Sequence, residues 1–208
     1  MKLSTLFSLC LSIPYQQAGV SASYATKRQE NTLYIFFEGS DGANDWKRNF
    51  EFPAKPYTRM GKTIWFAHSG FLRTWKEIEP MLETQIADKS IEKIIIAGYS
   101  HGSAIAVLCH EYVWYHRPDL RKSLEGHGFD GPRVVWGIKS KALKSRWDNF
   151  TLIRNIDDIV THIPPAVLGY SHVGKLLEIG EKGKYTDIEA HLSDNILTEL
   201  KAYETKTV

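Results

Sequence analysis

The stretch IIIAGYSHGSAIAVL, residues 94–108, passes from a β-branched apolar run to a run of small and apolar residues at one serine. The first part predicts a buried strand, and Ser103 and Ala104 begin a helix slim enough to pack against it. Gly98 and Gly102 lie two residues before and two residues after Ser100. Glycines at those positions allow a tight strand-to-helix turn without side-chain collisions. The stretch therefore predicts that Ser100 is a nucleophile on such a turn.

A second copy of the letters GYSH occupies residues 169–172. There Val173 replaces the later glycine, and Pro164 and Pro165 precede the copy where the first copy has a strand. The second copy therefore lacks the features of a nucleophile turn. The alternative interpretation of the first copy is a glycine-rich turn with a capping serine, and the strand before it and the small-residue helix after it argue against that.

Strand-like runs alternate with helical patterns along the rest of the chain. A helix is predicted from the spacing of Phe71, Trp75, Ile78, Leu82 and Ile86, and others follow Gly102 and end the chain. The strand-like runs are residues 32–37, 62–67, 93–97, 133–137 and 150–156. This alternation predicts an α/β fold with a largely parallel central sheet flanked by helices.

Composition and charge limit the class of protein. A chain of 208 residues with 43% hydrophobic residues is expected to fold as one domain, 1–208. The net charge is only +2 and the charges are scattered, so we expect no nucleic-acid partner. Cys10 and Cys109 lie in apolar runs without metal-ligand spacing, which indicates two buried thiols in a reducing compartment. We expect no metal site and no cofactor.

The first 22 residues allow two interpretations. MKLSTLFSLCLSI has the length and apolar character of a signal peptide, and residues 20–22 could form its cleavage site. The apolar residues of residues 3–11 also recur at helical spacing, and Pro14 would end that helix. The periodicity, interrupted by serines, favours a packed first helix. We therefore favour a cytoplasmic location, with secretion as the alternative if residues 1–22 are a signal peptide.

A serine nucleophile needs a base, and the base needs an acid to hold it. NIDDIVTHIPP places Asp157 and Asp158 at a predicted strand end, where sites of parallel sheets assemble. Three histidines follow: His162, His172 and His191. The residues alone leave these choices open. His191 is modestly favoured, because it lies in a loop-to-helix position that can reach the sheet edge.

The ordered motifs resemble the class 3 lipases, an α/β-hydrolase family, from about Tyr34 to Leu200, and suggest a small, bacterial-type member. IFFEGSDGANDWKRNF is similar to the family's F-R-G-T/S segment, AHSGF to V-H-x-G-F, and GYSHGSAIA to G-H-S-L-G-G-A-L-A. FDGPRVVWG is similar to F-G-x-P-R-V-G, and NIDDIVTHIPP to N-D-x-V-x-x-x-P. The resemblance implies an α/β-hydrolase fold.

The resemblance also implies the roles of individual residues. Ser100 is implied as the nucleophile, Asp158 as the acid and His191 as the base. Ser40 and the backbone N–H of His101 are implied to form the oxyanion hole. The second GYSH copy falls on a family position that is structural.

Three departures from the family pattern bear on substrate more than on mechanism. Glu38 replaces an arginine beside the expected oxyanion hole, His101 replaces a leucine, and Ser103 replaces a glycine. A carboxylate at position 38 would oppose the negative charge of the oxyanion unless it points away or is paired.

We therefore expect a serine carboxylic-ester hydrolase, of lipase or esterase type, that forms an acyl-enzyme. Its expected partner is a small-molecule ester or a lipid, with transient contact with a lipid surface; the oligomeric state does not follow from the sequence. One alternative is a degenerate relative that binds an acyl ligand or a protein partner without turnover. Another is a thioesterase or amidase with the same triad.

Overall fold

The computed structural model describes residues 1–19, 22–39, 53–137 and 140–207. The strands are β1 (Gln16–Gln17), β2 (Ser23–Gln29), β3 (Thr32–Phe37), β4 (Ala54–Arg59), β5 (Lys62–His68), β6 (Lys93–Tyr99), β7 (Leu124–Phe129), β8 (Val135–Trp136), β9 (Phe150–Asn155), β10 (Tyr170–Ser171) and β11 (Lys175–Ile179). The helices are α1 (Leu3–Ser12), α2 (Ser69–Ala87), α3 (His101–His116), α4 (Lys141–Lys144) and α5 (Ser193–Lys206).

The central sheet of the described chain has the strand order β1-β2-β3-β6-β7-β9-β11. The five strands from β3 to β11 run parallel, and β2 and β1 add an antiparallel edge. The carboxyl ends of β6, β7 and β9 therefore lie side by side at one edge of the sheet. The predicted α/β fold with a mostly parallel sheet is confirmed.

Helices cover both faces of this sheet. Strand β6 lies at the centre and sends Ile94 and Ile96 to one face and Ile95 and Ala97 to the other, as the two-residue period of a strand requires. Helices α2 and α3 pack on the first face, and α1 and α5 pack on the second. No helix in the described ranges is long and apolar enough to cross a membrane.

Two of the expected strands belong to a second sheet. The run at residues 62–67 forms β5 and part of the run at 133–137 forms β8, and both lie in an antiparallel sheet of order β10-β8-β5-β4. A tight turn at Met60 and Gly61, with φ of 48° and 74°, pairs β5 with β4 in an antiparallel hairpin, and β8 pairs with the other edge of β5. The strand assignments hold, but these strands do not extend the parallel sheet.

Helix α1 closes the second face of the central sheet. Phe7 is fully buried, and its ring lies 4.7 Å from the ring of Phe129 and 5.5 Å from that of Tyr99. Phe7→Ala is expected to lower the free energy of unfolding by about 3–5 kcal/mol, because it leaves a cavity in this core. Urea denaturation measures the change, and Leu11→Ala on the exposed side of α1 is the control. Equal stability of the two variants would contradict this packing.

The retention of residues 1–22 in the mature protein stays a prediction.

His110 makes the stability of the fold sensitive to acid. Its ring is buried in α3, and neither nitrogen has a hydrogen-bond partner among the described residues. Burial, and then the nearby His127, lower the pKa of His110 from 6.5 to about 3. The unfolded chain binds this proton from about pH 6.5 downward and the folded chain does not, so stability is full above that pH and falls toward pH 3.

We therefore expect His110→Leu to flatten the loss of stability on acidification. Chemical denaturation at a series of pH values between about 7 and 4 measures the slope, which should decrease by up to one proton in the variant. Parallel slopes for the two proteins would show that His110 does not carry this acid sensitivity.

Candidate active site

The turn at Ser100 has the strained geometry expected of a nucleophile elbow. Ser100 has φ 54° and ψ −119°, in the left-handed half of backbone space where non-glycine residues are uncommon. Its N–H donates to the carbonyl oxygen of Phe129 at 2.9 Å, which ties the turn to the end of β7. A Cβ atom on Gly98 would lie 2.2 Å from the carbonyl oxygen of Gly102, so the turn requires glycine there.

A hydrogen-bonded chain joins three predicted residues. The Nε2 atom of His191 lies 2.8 Å from Oγ of Ser100, and Nδ1 lies 2.7 Å from Oδ2 of Asp158. An ionised carboxylate only accepts, so Nδ1–H of His191 donates to Asp158, and Nε2 then accepts the proton of the Ser100 hydroxyl. The exposed fractions of Ser100, Asp158 and His191 are 1%, 0% and 3%, so water barely competes for these bonds.

Backbone donors and acceptors hold the acid in place. Oδ1 of Asp158 accepts the N–H of Val160 at 2.8 Å, and the Thr161 hydroxyl donates to the Asp158 carbonyl at 2.8 Å. The Nδ2 group of Asn155 donates to the carbonyl of Ala190 at 3.0 Å, which joins the end of β9 to the segment carrying His191. The acid and the base are therefore fixed by the same strand end.

The other candidate residues lie outside this chain of bonds. The Asp157 carboxylate accepts the N–H of Gly183, and His162 is exposed. His172 donates from Nε2 to the Thr161 carbonyl at 2.7 Å, which supports the loop of Asp158, and burial lowers its pKa to about 4. The structure thus brings Asp158 and His191 to Ser100, and leaves these three residues away from it.

Tyr99 was not singled out from the sequence, yet it holds His191 directly. Its hydroxyl donates to the His191 carbonyl, and its ring stacks on the imidazole with 5.3 Å between the ring centroids and 28° between the ring planes. The signal in the sequence is an aromatic residue directly before the nucleophile, where the family motif has histidine.

Tyr99→Phe is expected to lower kcat about threefold to tenfold with little change in KM, because the ring stays stacked while the bond to the carbonyl is lost. Steady-state kinetics on a soluble ester measure both constants. An unchanged kcat would show that the hydroxyl does not contribute to holding His191.

The expected oxyanion hole is described only in part. His101 is the first residue of α3 and directly follows Ser100, and the N–H groups in the first turn of a helix have no acceptor within the helix. Burial, and then the nearby His68, lower the pKa of the His101 side chain to about 4, so it is neutral at pH 7. Ser40 and the segment 41–52 lie outside the described residues.

The other two departures from the family pattern have structural settings. Glu38 is exposed and lines a cavity of about 400 Å³ together with Tyr99 and Ser193. Ser103 is buried, and its Oγ fills the space that Gly128 and Gly131 leave: a Cβ on Gly131 would lie 2.0 Å from this oxygen. No group of side chains in the described ranges has the arrangement of a metal site.

Known proteins share this chain's sequence and fold. The family described as Lipase (class 3) matches residues 34–168. A lipase of Rhizomucor miehei is 29% identical over 160 residues, covering 74% of this chain and 44% of the relative. The secreted mono- and diacylglycerol lipase 1 of Fusarium solani is 27% identical over 197 residues, covering 89% of this chain and 56% of the relative.

The solved structure of a Rhizomucor miehei triacylglyceride lipase superimposes with a TM-score of 0.69 at 25% identity, covering 81% of this chain and 66% of that one. This chain spans about half the length of the curated relatives it matches. These relatives are fungal, and the bacterial-type assignment stays a prediction. The motifs matched over most of the chain, on the α/β-hydrolase fold, show that this protein belongs to the class 3 lipase family.

Proposed function

We propose that this protein is a serine carboxylic-ester hydrolase of lipase or esterase type, with Ser100, His191 and Asp158 as its catalytic triad. One observation carries the proposal: the hydroxyl, imidazole and carboxylate form a continuous hydrogen-bonded chain on a strained strand-to-helix turn. Family membership and relatives named as lipases support ester substrates. A buried serine with only a structural role would not need hydrogen bonds to an imidazole that is itself bonded to a carboxylate.

The proposed reaction has two steps. His191 takes the hydroxyl proton of Ser100 as the oxygen attacks the ester carbonyl, and the resulting tetrahedral oxyanion accepts hydrogen bonds from the His101 N–H and from Ser40. His191 then gives its proton to the leaving alcohol, which leaves an acyl-enzyme on Ser100. Water, deprotonated by His191, attacks the acyl group, and the acid leaves as Ser100 regains its proton. Asp158 stabilises the imidazolium in both steps.

The proposed substrate is a lipid or small ester. The Fusarium relative is named for mono- and diacylglycerols, and the Rhizomucor structure for triacylglycerides, so acylglycerols are the first substrates to test.

A labelling experiment tests the proposal on the wild-type protein. We expect a fluorophosphonate to attach covalently to Ser100, and p-nitrophenyl butyrate and palmitate to be hydrolysed in a ratio that reports acyl length. Matched ester, thioester and amide substrates separate the esterase from the thioesterase or amidase alternative. A folded protein that is neither labelled nor active would instead support the non-catalytic acyl-binding alternative.

The location depends on the first 22 residues. The burial of Phe7 and the packing of α1 support their retention, and with it the cytoplasmic location that the sequence favours. The Fusarium relative is named as secreted. The intact mass of the protein from its own host separates the two: the full mass supports retention, and loss of about 22 residues supports secretion.

A further inference from the structure

A second aspartate lies behind the acid of the triad. Asp130 follows β7 as Asp158 follows β9, and these neighbouring strands run parallel, so both carboxyl groups come to the same edge of the sheet. Asp130 has φ 44°, in the left-handed region that glycine adopts most readily and that aspartate adopts occasionally. The similar family motif, F-G-x-P-R, has a glycine at this place. This chain therefore carries a carboxyl group at a backbone position that favours glycine.

The contacts of Asp130 are those of a buried acid with one unused oxygen. Its side chain is 0% exposed. Oδ1 accepts the N–H of Asn155 at 2.6 Å, and the Asp130 N–H donates to the Ile153 carbonyl at 2.8 Å. Oδ2 is buried and accepts no hydrogen bond from the described residues. The Asp158 carboxyl group is close enough to the Asp130 carboxyl group to raise its pKa.

Negative charges on two neighbouring buried carboxyl groups repel each other, which favours the state in which only one of the two is ionised. Asp158 is the better site for the charge, since it accepts N–H groups from both Val160 and His191, whereas Asp130 accepts only one. The positive charge of Arg154 acts to lower the pKa of Asp130, but Arg154 is already paired with Glu178. Burial, and then the charge of Asp158, raise the pKa of Asp130 well above its usual range.

We propose that Asp130 is a positioning residue for the hydrolysis proposed above: as a neutral carboxylic acid it donates a hydrogen bond from Oδ2 to the Asp158 carboxylate. This bond spreads the negative charge of Asp158, which then stabilises protonated His191 less strongly. We therefore expect the acidic limb of the kcat/KM profile to lie at a lower pH with the Asp130 donor than without it.

The pH profile of kcat/KM tests this in three variants. Asp130→Asn keeps a neutral donor, so its acidic limb should coincide with that of the wild type, with at most a threefold loss of kcat/KM. Asp130→Gly removes the donor and suits φ 44°, so it should fold and move the acidic limb up by about 0.5–1 pH unit. Glu30→Gly relieves a similar φ of 53° in the β2–β3 turn and should leave the limb unmoved.

Two results would overturn the proposal. If the acidic limb of Asp130→Gly coincides with that of the wild type, Asp130 only fills space. If the limb of Asp130→Asn moves to lower pH, Asp130 carries a charge in the native protein, because the substitution has then removed a negative charge near His191.

A second readout does not depend on activity. The infrared difference spectrum of wild type minus Asp130→Asn at neutral pH should show the carbonyl band of a protonated carboxylic acid, and only carboxylate bands in that spectrum would contradict the neutral form. If the wild-type protein shows this band but is neither labelled nor active, the proposed hydrolysis fails while the protonated pair stands.

Discussion

Ser100→Ala is expected to lower kcat by a factor of about 10⁴ or more and to abolish fluorophosphonate labelling. The substitution removes the atom that would form the acyl-enzyme, whereas binding and the oxyanion donors remain. His191→Ala should cost a similar factor, because it removes the base that lies within hydrogen-bond distance of the Ser100 hydroxyl. Asp158→Asn should cost nearly as much, since an amide in place of the carboxylate no longer fixes Nδ1–H as the donor.

The second GYSH copy supplies the matched control for this experiment. Ser171→Ala changes the same residue type in the same four letters, but in β10 of the second sheet. It should keep both labelling and turnover. Activity that survives Ser100→Ala, or that is lost in Ser171→Ala with the fold intact, would show that another residue is the nucleophile.

Gly102→Ala is expected to lower the free energy of unfolding by about 3 kcal/mol or more and to remove most of the activity. A Cβ on Gly102 would lie 2.1 Å from the Phe37 carbonyl oxygen and 2.7 Å from that of Glu38. Both atoms are backbone, so neither can rotate away. The helix start must move off the end of β3, and the elbow of Ser100 moves with it. Denaturant unfolding and kcat/KM on a soluble ester measure the two effects.

Gly70→Ala separates this clash from the general effect of replacing a helical glycine. Gly70 lies in the first turn of α2, and its added Cβ would approach only the side chain of His68, at 3.1 Å. We expect a change within about 1 kcal/mol for this variant, since a helical alanine also gains propensity. Similar losses in the two variants would show that the contact between α3 and β3 is looser than described.

The sequence was most informative where one local pattern determines one element. The β-branched run predicts strand β6, and the two glycines around Ser100 predict the tight turn, without knowledge of any distant contact. Both the strand and the turn are observed. The choice of His191 over His162 and His172 needed either the family motif or the fold, because a histidine's partners are set by tertiary contacts. Its bond to Ser100 joins residues 91 positions apart.

Other elements could not be predicted, because contacts with residues distant in sequence determine which side chains fit in them. Strand β7 reads LEGHGF, and its glycines disfavour a strand on propensity. Yet a Cβ on Gly126 would lie 2.2 Å from the Phe150 ring, and one on Gly128 would lie 2.3 Å from Oγ of Ser103. Asp130 escaped notice for the same reason, since one aspartate in a loop has no pattern of its own. Its burial beside Asp158 exists only in the folded chain.

The fit between Ser103 and Gly131 constrains the order in which the two positions can change during evolution. With Ser103 present, any side chain at position 131 would meet its hydroxyl at 2.0 Å. A chain with glycine at position 103 would leave this space open for a larger residue at 131, whereas a chain with serine at 103 requires Gly131. A larger residue at position 131 is therefore expected only after Ser103 has been replaced by glycine, and a serine at 103 only where position 131 is already glycine.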